Sequence, residues 1–549
     1  MKWKKRDNAK SISEILAKRD LSVPDHLSFV QNLKEAVLLT KKMVREGAEI
    51  TIVGDYDCDG ITSSSILKLC LEEYIQVMHT KNALSVIIPN RYTEGYGLNL
   101  SIVERIDSGL MLTVDNGIAA VEQIKAAKEK GLTVIVIDHH LIRDDGKVPE
   151  ADVLIDPHVN KGEFEDYCGA GLAYRFAMEL NPETKLHAHF MALAGIGTVA
   201  DVMPLVGDNR KIVMEALKHL ADRDVPIGLN AILDALGADE YIDEGYIGFH
   251  IGPCFNAMGR LRGDGGSWMV NLITSHPALP KMLYDQGAEV IQVNEERKKL
   301  TIDCMNLVNE EILPQTSVYP VIIIEDSSLF VKGIVGIVAG RLCETYKVPA
   351  IVFTQDTKNP DNLTGSGRAP EDIHLKKLLD SVSDLMVGYG GHAGAAGLTI
   401  RRENLEKFRS AIAEKLKDYK PTVDEEQYDL EINALDIPEQ LAELKAGAPY
   451  GEGNPEIVFR VNGIKGLPKV IGRYNNHFRL QGPDVTVLGF DLVERWKQDH
   501  EPSCMDVIGT LGINHFRERD EYQLRVNDYH PVVQENTNVF TDLAAMFQF

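Results

Sequence analysis

The sequence predicts an α/β protein built on a doubly wound parallel sheet, followed by a spacer helix, a smaller α/β domain and a C-terminal β barrel. Three observations carry this expectation. Between residues 50 and 155, short apolar runs alternate with stretches of helical length and spacing. A long charged stretch without Gly or Pro after Gly287 separates two such α/β regions, and beyond residue 421 short alternating segments are divided by turn residues. The 549 residues suffice for three to four domains of about 150 residues each. With 44% hydrophobic and 26% charged residues the composition is globular, which excludes a disordered, collagen-like or membrane-embedded chain.

In order along the chain, 29–45 has helical periodicity. The runs ITIV (50–53), SVII (85–88), LMLTV (110–114), LTVIVI (132–137) and DVLI (152–155) are apolar throughout or nearly so, as strands buried on both faces of a parallel sheet are. Residues 62–74 and 118–130 between them read as crossover helices, and 186–272 as mostly helical. The charged stretch 280–313 reads as a solvated spacer helix. The second α/β unit has strands at 321–324 and 350–353, a helix over 333–346, a turn at GSGR (365–368) and the glycine-rich GYGGHAGAAG (388–397). A charged linker containing Pro421 leads to the barrel segments.

Against 58 Lys and Arg stand 82 Asp and Glu, a formal charge of -24. This acidity argues at first against a phosphate-bearing partner, but a local basic path or bound cations override net charge. Seven widely spaced cysteines without a C-x-x-C pair disfavour a disulfide framework or zinc ribbon and fit a reducing compartment. No apolar stretch follows MKWKKRDNAK and no run approaches the ~18 residues of a membrane span, so a cytoplasmic protein without a membrane partner is expected.

The acids fall where the strands end. Run 50–53 leads into GDYDCDG with Asp55, Asp57 and Asp59; run 110–114 into VDNG with Asp115; run 132–137 into Asp138, His139 and His140. The C-terminal edge of an open α/β sheet is its ligand crevice, so these groups converge. Alternate acids of D-x-D-x-D are expected on one side of an extended segment, with Gly60 allowing a sharp turn into the next helix. Crowded carboxylates oppose one another's ionisation, and a divalent cation removes the conflict. Oxygen and imidazole donors without thiolate suit Mn2+ or Mg2+. A lone Asp at a strand end is more often a helix N-cap, and D-x-D-x-D-G also suits a calcium loop. The position where that loop needs Glu is Ile66, however, and three such motifs on successive strands favour a metal site.

GDYDCDG, VDNG, DHH and GTVADVMPL (197–205, with Asp201) resemble the four motifs of the DHH phosphoesterase superfamily, and GSGR and GGHAGAAG its DHH-associated second domain. PNRYTEGYG (89–97), FNAMGRL (255–261), GIVGIVAGRL (333–342) and PYGEGNP (449–455) are similar to the RecJ group of single-strand-specific DNA exonucleases. The resemblance implies a two-metal phosphodiesterase in which Asp57, Asp59, Asp115, His139 and Asp201 hold two Mn2+ or Mg2+ ions. Asp115 would bridge them, Asp55 would be an additional ligand, Asp138 would orient the ligand histidine and His140 would face the scissile phosphate. By family position Arg91, Ser366 and Arg368 would form a terminal-phosphate pocket, Asn256 and Arg260 would meet substrate, and Gly391 and His392 would meet the phosphate beside the cleaved bond. A salt bridge is the plain alternative for each arginine. Where the family usually reads P-R-I-N-A the chain has Pro253-Cys254-Phe255-Asn256-Ala257, so an expected arginine is missing at Cys254.

Residues 457–481 carry Arg460, Lys465, Lys469, Arg473 and Arg479 and no acid, interleaved with Tyr474, His477 and Phe478. A basic strand face with stackable rings is how an OB-like barrel grips single strands, which makes Arg473, Tyr474 and Phe478 candidate contacts. Ordinary barrel-core aromatics are the alternative. The expected organisation is an N-terminal extension (1–28), a DHH domain with a helical part (29–275), a connecting helix (276–314), a DHH-associated clamp (315–420), an OB-like domain (421–534) and an acidic tail (535–549).

The resemblance implies a monomeric exodeoxyribonuclease acting 5′ to 3′ on single-stranded DNA in repair and recombination, with a single-strand-binding protein or a helicase as candidate partners. A DHH phosphodiesterase of short oligoribonucleotides or small nucleotides is a second reading, disfavoured by the barrel and the length. A non-enzymatic replication scaffold with a decayed metal site is a third, disfavoured by the intact acidic motifs.

Overall fold

The computed structural model describes residues 3–143, 145–276, 280–421, 425–472, 475–482, 485–516 and 519–532. They fall into two compact units, residues 22–423 and residues 1–21 with 424–549.

In the larger unit, helix α1 (Leu33–Arg45) precedes a parallel sheet of β1 (Ile50–Val53), β2 (Leu84–Ile87), β3 (Leu110–Val114), β4 (Thr133–Ile137) and β5 (Val153–Ile155), ordered β2-β1-β3-β4-β5. Every residue of β1 and β3 is buried, because alternate side chains feed two cores. Ile50, Ile52, Leu110, Leu112, Ile135 and Ile137 pack on one face, and Val53, Met111, Val134 and Val136 on the other. Helix α2 (Cys58–Val77) covers the first face, and α3 (Val121–Glu129), through Ile124 and Ala127, the second. Helices α4 (Gly169–Leu180) and α5 (His187–Ala200) join α1 and α2 on the first face. The sheet is therefore doubly wound, and its two-sided burial is what hides the period of two in the apolar runs. Strand order reverses between β1 and β3, and the crevice of such a sheet opens at that point, outside the carboxyl ends.

Helix α2 begins at Cys58, earlier than its spacing predicts. Asp57 is its N-cap, with the side chain accepting the Gly60 N–H at 3.0 Å. GDYDCDG is thus not an extended segment, and Gly60 lies inside the first helical turn. What requires glycine there is a close approach: a Cβ would stand 2.5 Å from the carbonyl oxygen of Asp55.

Residues 187–273 are mostly helical, as expected, and include α6 (Gly252–Leu261). The long helix α7 (Pro280–Leu307) is not the fully solvated spacer its charges suggest. Leu283, Val290 and Val293 enter the core of the first domain, and Cys304 enters that of the second. The second domain contains β6 (Ile322–Glu325), α8 (Val335–Tyr346), β7 (Ala350–Gln355), β8 (Asn362–Arg368), β9 (Met386–Gly391) and β10 (Ala395–Arg401), ordered β9-β10-β8-β7-β6. Only the β6–β7 pair is parallel. GSGR is the end of strand β8 and not a turn: Ser366 pairs with Val352 on one side and Gly397 on the other. Its glycines serve packing, since a Cβ on Gly365 would lie 2.6 Å from the ring of Phe353.

The smaller unit is a seven-stranded mixed sheet running in order through Leu430–Ile432, Val458–Lys465, Cys504–Phe516, Arg519–Pro531, Thr486–Gly489, His477–Gln481 and Lys469–Ile471. The N-terminal stretch packs as part of this unit. Lys4–Lys5 pairs in parallel with Gln427–Tyr428, Trp3 Nε1 donates to Asp528 at 2.6 Å while its ring stacks 4.0 Å from that of His530, and Ala9, Ile12 and Ile15 enter the core. The tail 535–549 lies outside the described residues. Among the described residues, no helix is long and apolar enough to cross a membrane.

Candidate metal centre

Three chain turns at the carboxyl edge of the sheet deliver the acids. Asp55 and Asp57 follow β1, Asp59 sits in the first turn of α2, Asp115 follows β3, and Asp138 to His140 follow β4. Asp201 arrives from the C-cap of α5. Ligand atoms of Asp55, Asp57 and Asp115 lie within 4.8 Å of one another, as do those of Asp59, His139 and Asp201, and those of Asp115, His139 and His140. Asp115 and His139 belong to two groups each. His139 Nε2 stands 3.1 Å from Asp115, 3.6 Å from Asp201 and 3.7 Å from Asp59. Asp59 is fixed from behind by the N–H groups of Gly169 and Ala170 at 2.6 and 2.8 Å. Asp115 holds φ of 58°, a left-handed conformation that Asp and Asn tolerate better than other side chains.

The donor set fits divalent cations. Oδ1 of buried Asp55 has no hydrogen-bond partner, and carboxylates outnumber the bases that face them. Burial, reinforced by Asp57, pushes the Asp55 carboxyl well above its ordinary range. Burial and then Asp59, Asp57, Asp55 and Asp201 do the same to Asp115. Burial with Asp59 and Asp57 lifts Asp201 to about 8. Burial holds His139 below the ordinary imidazole range, so its ring is a neutral donor. Cys58 and Cys168 border the site, but burial pushes both thiols well up, which leaves oxygen and nitrogen as the ligands.

A carboxyl whose folded pKa is raised binds its proton more tightly folded than unfolded. Its stabilisation is complete below about pH 4 and is lost as pH rises through the folded value, here about 8 for Asp201. In EDTA, Asp201→Asn should therefore melt above the parent protein by a margin that widens from pH 5 to pH 8. A margin that is flat or shrinks with pH, measured by calorimetry, contradicts this crowding.

Asp138 acts differently from the expectation. Its Oδ1 meets the Nδ1 of His140 at 2.8 Å, and it reaches His139 only through the backbone N–H at 2.8 Å. The carboxylate therefore orients His140. Burial opposes charge on His140, but the hydrogen bond and charge of Asp138 outweigh it and raise His140 to about 9. On its other side, His140 Nε2 is 3.1 Å from the hydroxyl of Tyr96. Tyr96 and Tyr56 are site residues that the sequence motifs did not single out. Tyr56 lies between Asp55 and Asp57, with the Arg91 guanidinium 4.5 Å from its ring centroid, and alternation along D-Y-D could have marked it.

Arg368 Nη1 donates to Ser366 Oγ at 2.9 Å and to the Gly367 carbonyl at 2.8 Å. The first turn of α8 closes on this pair: a Cβ on Gly336 would stand 3.2 Å from Ser366 Oγ and 3.3 Å from Arg368 Nη2. A helix N-terminus, a hydroxyl and a guanidinium thus share one cradle. Burial, with a contribution from Arg91, lowers Arg368. Arg260, whose Nη1 donates to the Gly333 carbonyl at 3.4 Å, is lowered to about 10 by burial, then by Arg91 and Arg297. None of Arg91, Arg260 and Arg368 forms an ion pair among the described residues, so the salt-bridge alternative does not account for them.

The remaining expected contacts lie at several places in the fold. Asn256 Oδ1 accepts the Cys58 N–H at 3.0 Å, which ties α6 to the metal loop. Cys254 is buried, and its sulfur accepts from Asn294 Nδ2 at 3.3 Å, so no cation stands there. Gly391, at φ of 146°, opens the β9–β10 turn that exposes His392. Phe478 is only 1% exposed and packs against Trp496 and Tyr529, because strand alternation turns it inward with Leu480; it offers no ring to a bound strand. Arg473 and Tyr474 lie outside the described residues.

A doubly wound sheet with carboxylates and imidazole at its switch point, followed by a second, smaller α/β domain, defines a metal-dependent phosphoesterase of the DHH type. The family model for the DHH family, N-terminal domain, matches residues 49–198, that for the DHHA1 domain 322–418, and that for the RecJ OB domain 428–528. The single-stranded-DNA-specific exonuclease RecJ of Thermus thermophilus is 31% identical over 93% of this chain and 73% of its own length. The Bacillus subtilis RecJ is 31% identical over 95% of the chain, which spans 66% of that relative. The crystal structure of Thermus thermophilus RecJ in complex with Mn2+ superposes with a TM-score of 0.75 at 26% identity, covering 93% of this chain and 73% of that one. The chain belongs to the RecJ family.

Proposed function

We propose that this protein is a metal-dependent exonuclease that degrades single-stranded DNA from a phosphorylated 5′ end, in DNA repair and recombination. The observation that carries the reading is the convergence of Asp55, Asp57, Asp59, Asp115, His139 and Asp201 on one sheet edge in a chain of the RecJ family. Asp57, Asp59, Asp115, His139 and Asp201 would hold two divalent cations, Mn2+ or Mg2+, with Asp115 shared and Asp55 in support. Such ions lower the pKa of water and stabilise the attacking and leaving oxygens of an in-line phosphoryl displacement.

The chain's own groups do the rest. Asp138 meets Nδ1 of His140 and favours its charged form, and the Tyr96 hydroxyl 3.1 Å from Nε2 fixes the ring from the other side, so His140 is held beside the acids where it would meet the scissile phosphate. Asp59, locked by two backbone N–H groups, keeps its geometry without help from solvent. Ser366, Arg368 and the first turn of α8 would take the terminal phosphate, with Arg91 beside them, and His392 would meet the phosphate next to the cleaved bond. A single-strand-binding protein or helicase as partner and a monomeric state follow from the family resemblance, and a cytoplasmic location from the cysteine pattern and the lack of long apolar runs.

Digestion of 5′- and 3′-end-labelled single strands, a duplex and a dinucleotide tests the reading. It expects early release of the 5′ label as mononucleotide and little attack on the duplex. Faster turnover of the dinucleotide than of a long strand would instead favour a small-nucleotide phosphodiesterase.

A further inference from the structure

Helix α7 carries a cation that the surrounding acids leave unmatched. In the segment NEERKK, Glu295 pairs with Lys298 at 2.8 Å and Glu296 with Arg262 at 3.3 Å. Arg297, between them, forms no ion pair among the described residues; its Nε donates to Asn294 Oδ1 at 3.0 Å. Asn294 is itself buried and spends its amide on Cys254, so it holds the guanidinium stem in one orientation. Arg297 is half-buried, and leaving such a group unpaired is costly unless it faces an anion. Helices α7 and α8 pack together, and Arg341 of α8 is exposed and also without an ion pair among the described residues. Burial and Arg341 lower Arg297, and Arg297 in turn contributes to the lowering of Arg260. Asn294 of α7 meets Cys254 of α6, Arg260 of α6 meets the Gly333 carbonyl just before α8, and α7 packs on both helices, so Arg260, Arg297 and Arg341 stand on three helices joined by these contacts.

We propose that Arg297 and Arg341 hold the phosphodiester backbone of a long single strand outside the catalytic pocket, and so set the preference for long strands over dinucleotides. Asn294 links Arg297 to Cys254, the position where the family resemblance leads one to expect an arginine. A guanidinium suits this role because its planar fork binds phosphate oxygens in pairs. The proposal rests on the nuclease reading above and names its strand-length determinant.

The test compares wild type, Arg297→Ala, Arg297→Lys and Arg341→Ala on a phosphorylated 30-nucleotide single strand and a phosphorylated dinucleotide, both with Mn2+. The ratio of kcat/KM for the long strand to that for the dinucleotide should fall about tenfold in each alanine variant, mostly through KM. The slope of log KM against log salt on the long strand should drop by about 0.7 per arginine removed, the value for one single-strand phosphate contact. Arg297→Lys should keep most of that slope. An unchanged ratio, including an equal loss on both substrates, overturns the proposal while the nuclease reading stands. A wild-type protein with no metal-dependent activity on either substrate overturns both.

Discussion

Asp115→Asn should lower the Mn2+-dependent rate on single-stranded DNA by about 10³-fold or more, roughly 4 kcal/mol of transition-state stabilisation at 1.36 kcal/mol per tenfold. Asp115 contributes to two ligand groups at once, so its loss affects both candidate ions. Asparagine is the informative replacement because it tolerates the left-handed backbone that Asp115 adopts, which keeps strain out of the comparison. The same variant relieves crowding among Asp55, Asp57, Asp59 and Asp201, so in EDTA it should melt at or above the parent protein. Lost activity with undiminished metal-free stability is the signature of a ligand and not of a structural residue. Retention of more than a tenth of the parent rate contradicts the assignment.

Gly60→Ala should damage both folding and activity. A Cβ there would stand 2.5 Å from the Asp55 oxygen, 2.6 Å from its carbonyl carbon and 2.7 Å from its Cα, all backbone atoms that cannot rotate away. Alanine favours a helix over glycine by about 1 kcal/mol, yet overpacking against fixed backbone costs about 1–3 kcal/mol. The loop carrying Asp55 and Asp57 must move by several tenths of an ångström or more, and a misplacement of about 1 Å at a catalytic site costs about 10²-fold in rate. Thermal melting and kcat with Mn2+ read the two effects. A variant within twofold of the parent rate and with an unchanged Tm would show that the approach is not tight.

Much of this centre is legible in the sequence because strand ends and acids coincide there. Two-sided burial makes β1, β3 and β4 read as apolar runs, and Asp55, Asp57, Asp115, Asp138 and His139 follow directly. Asp201 has no such marker: it caps a helix, and only the likeness of GTVADVMPL to a family motif points to it. Other features depend on which partner a side chain meets across the fold. Asp138 turns to His140, Asn256 is taken by the Cys58 amide, and Ser366 lies in a strand because its neighbours accept a glycine-rich ladder. Phe478 follows the period of two that its neighbours His477, Arg479 and Leu480 display, and the same alternation that suggests a strand also turns its ring inward. The apolar stripe of α7 is thin enough for its charged neighbours to mask it.

The most direct test of the central claim, that the acids at this sheet edge form a divalent-cation site for phosphodiester hydrolysis, is release of acid-soluble nucleotides from single-stranded DNA as Mn2+ is titrated into metal-free protein. The account predicts no release in EDTA and a rate that rises with Mn2+ to saturation, with Asp115→Asn flat across the series. Release of nucleotides by the metal-free parent protein, or equal rates for parent and variant at saturating Mn2+, would contradict it.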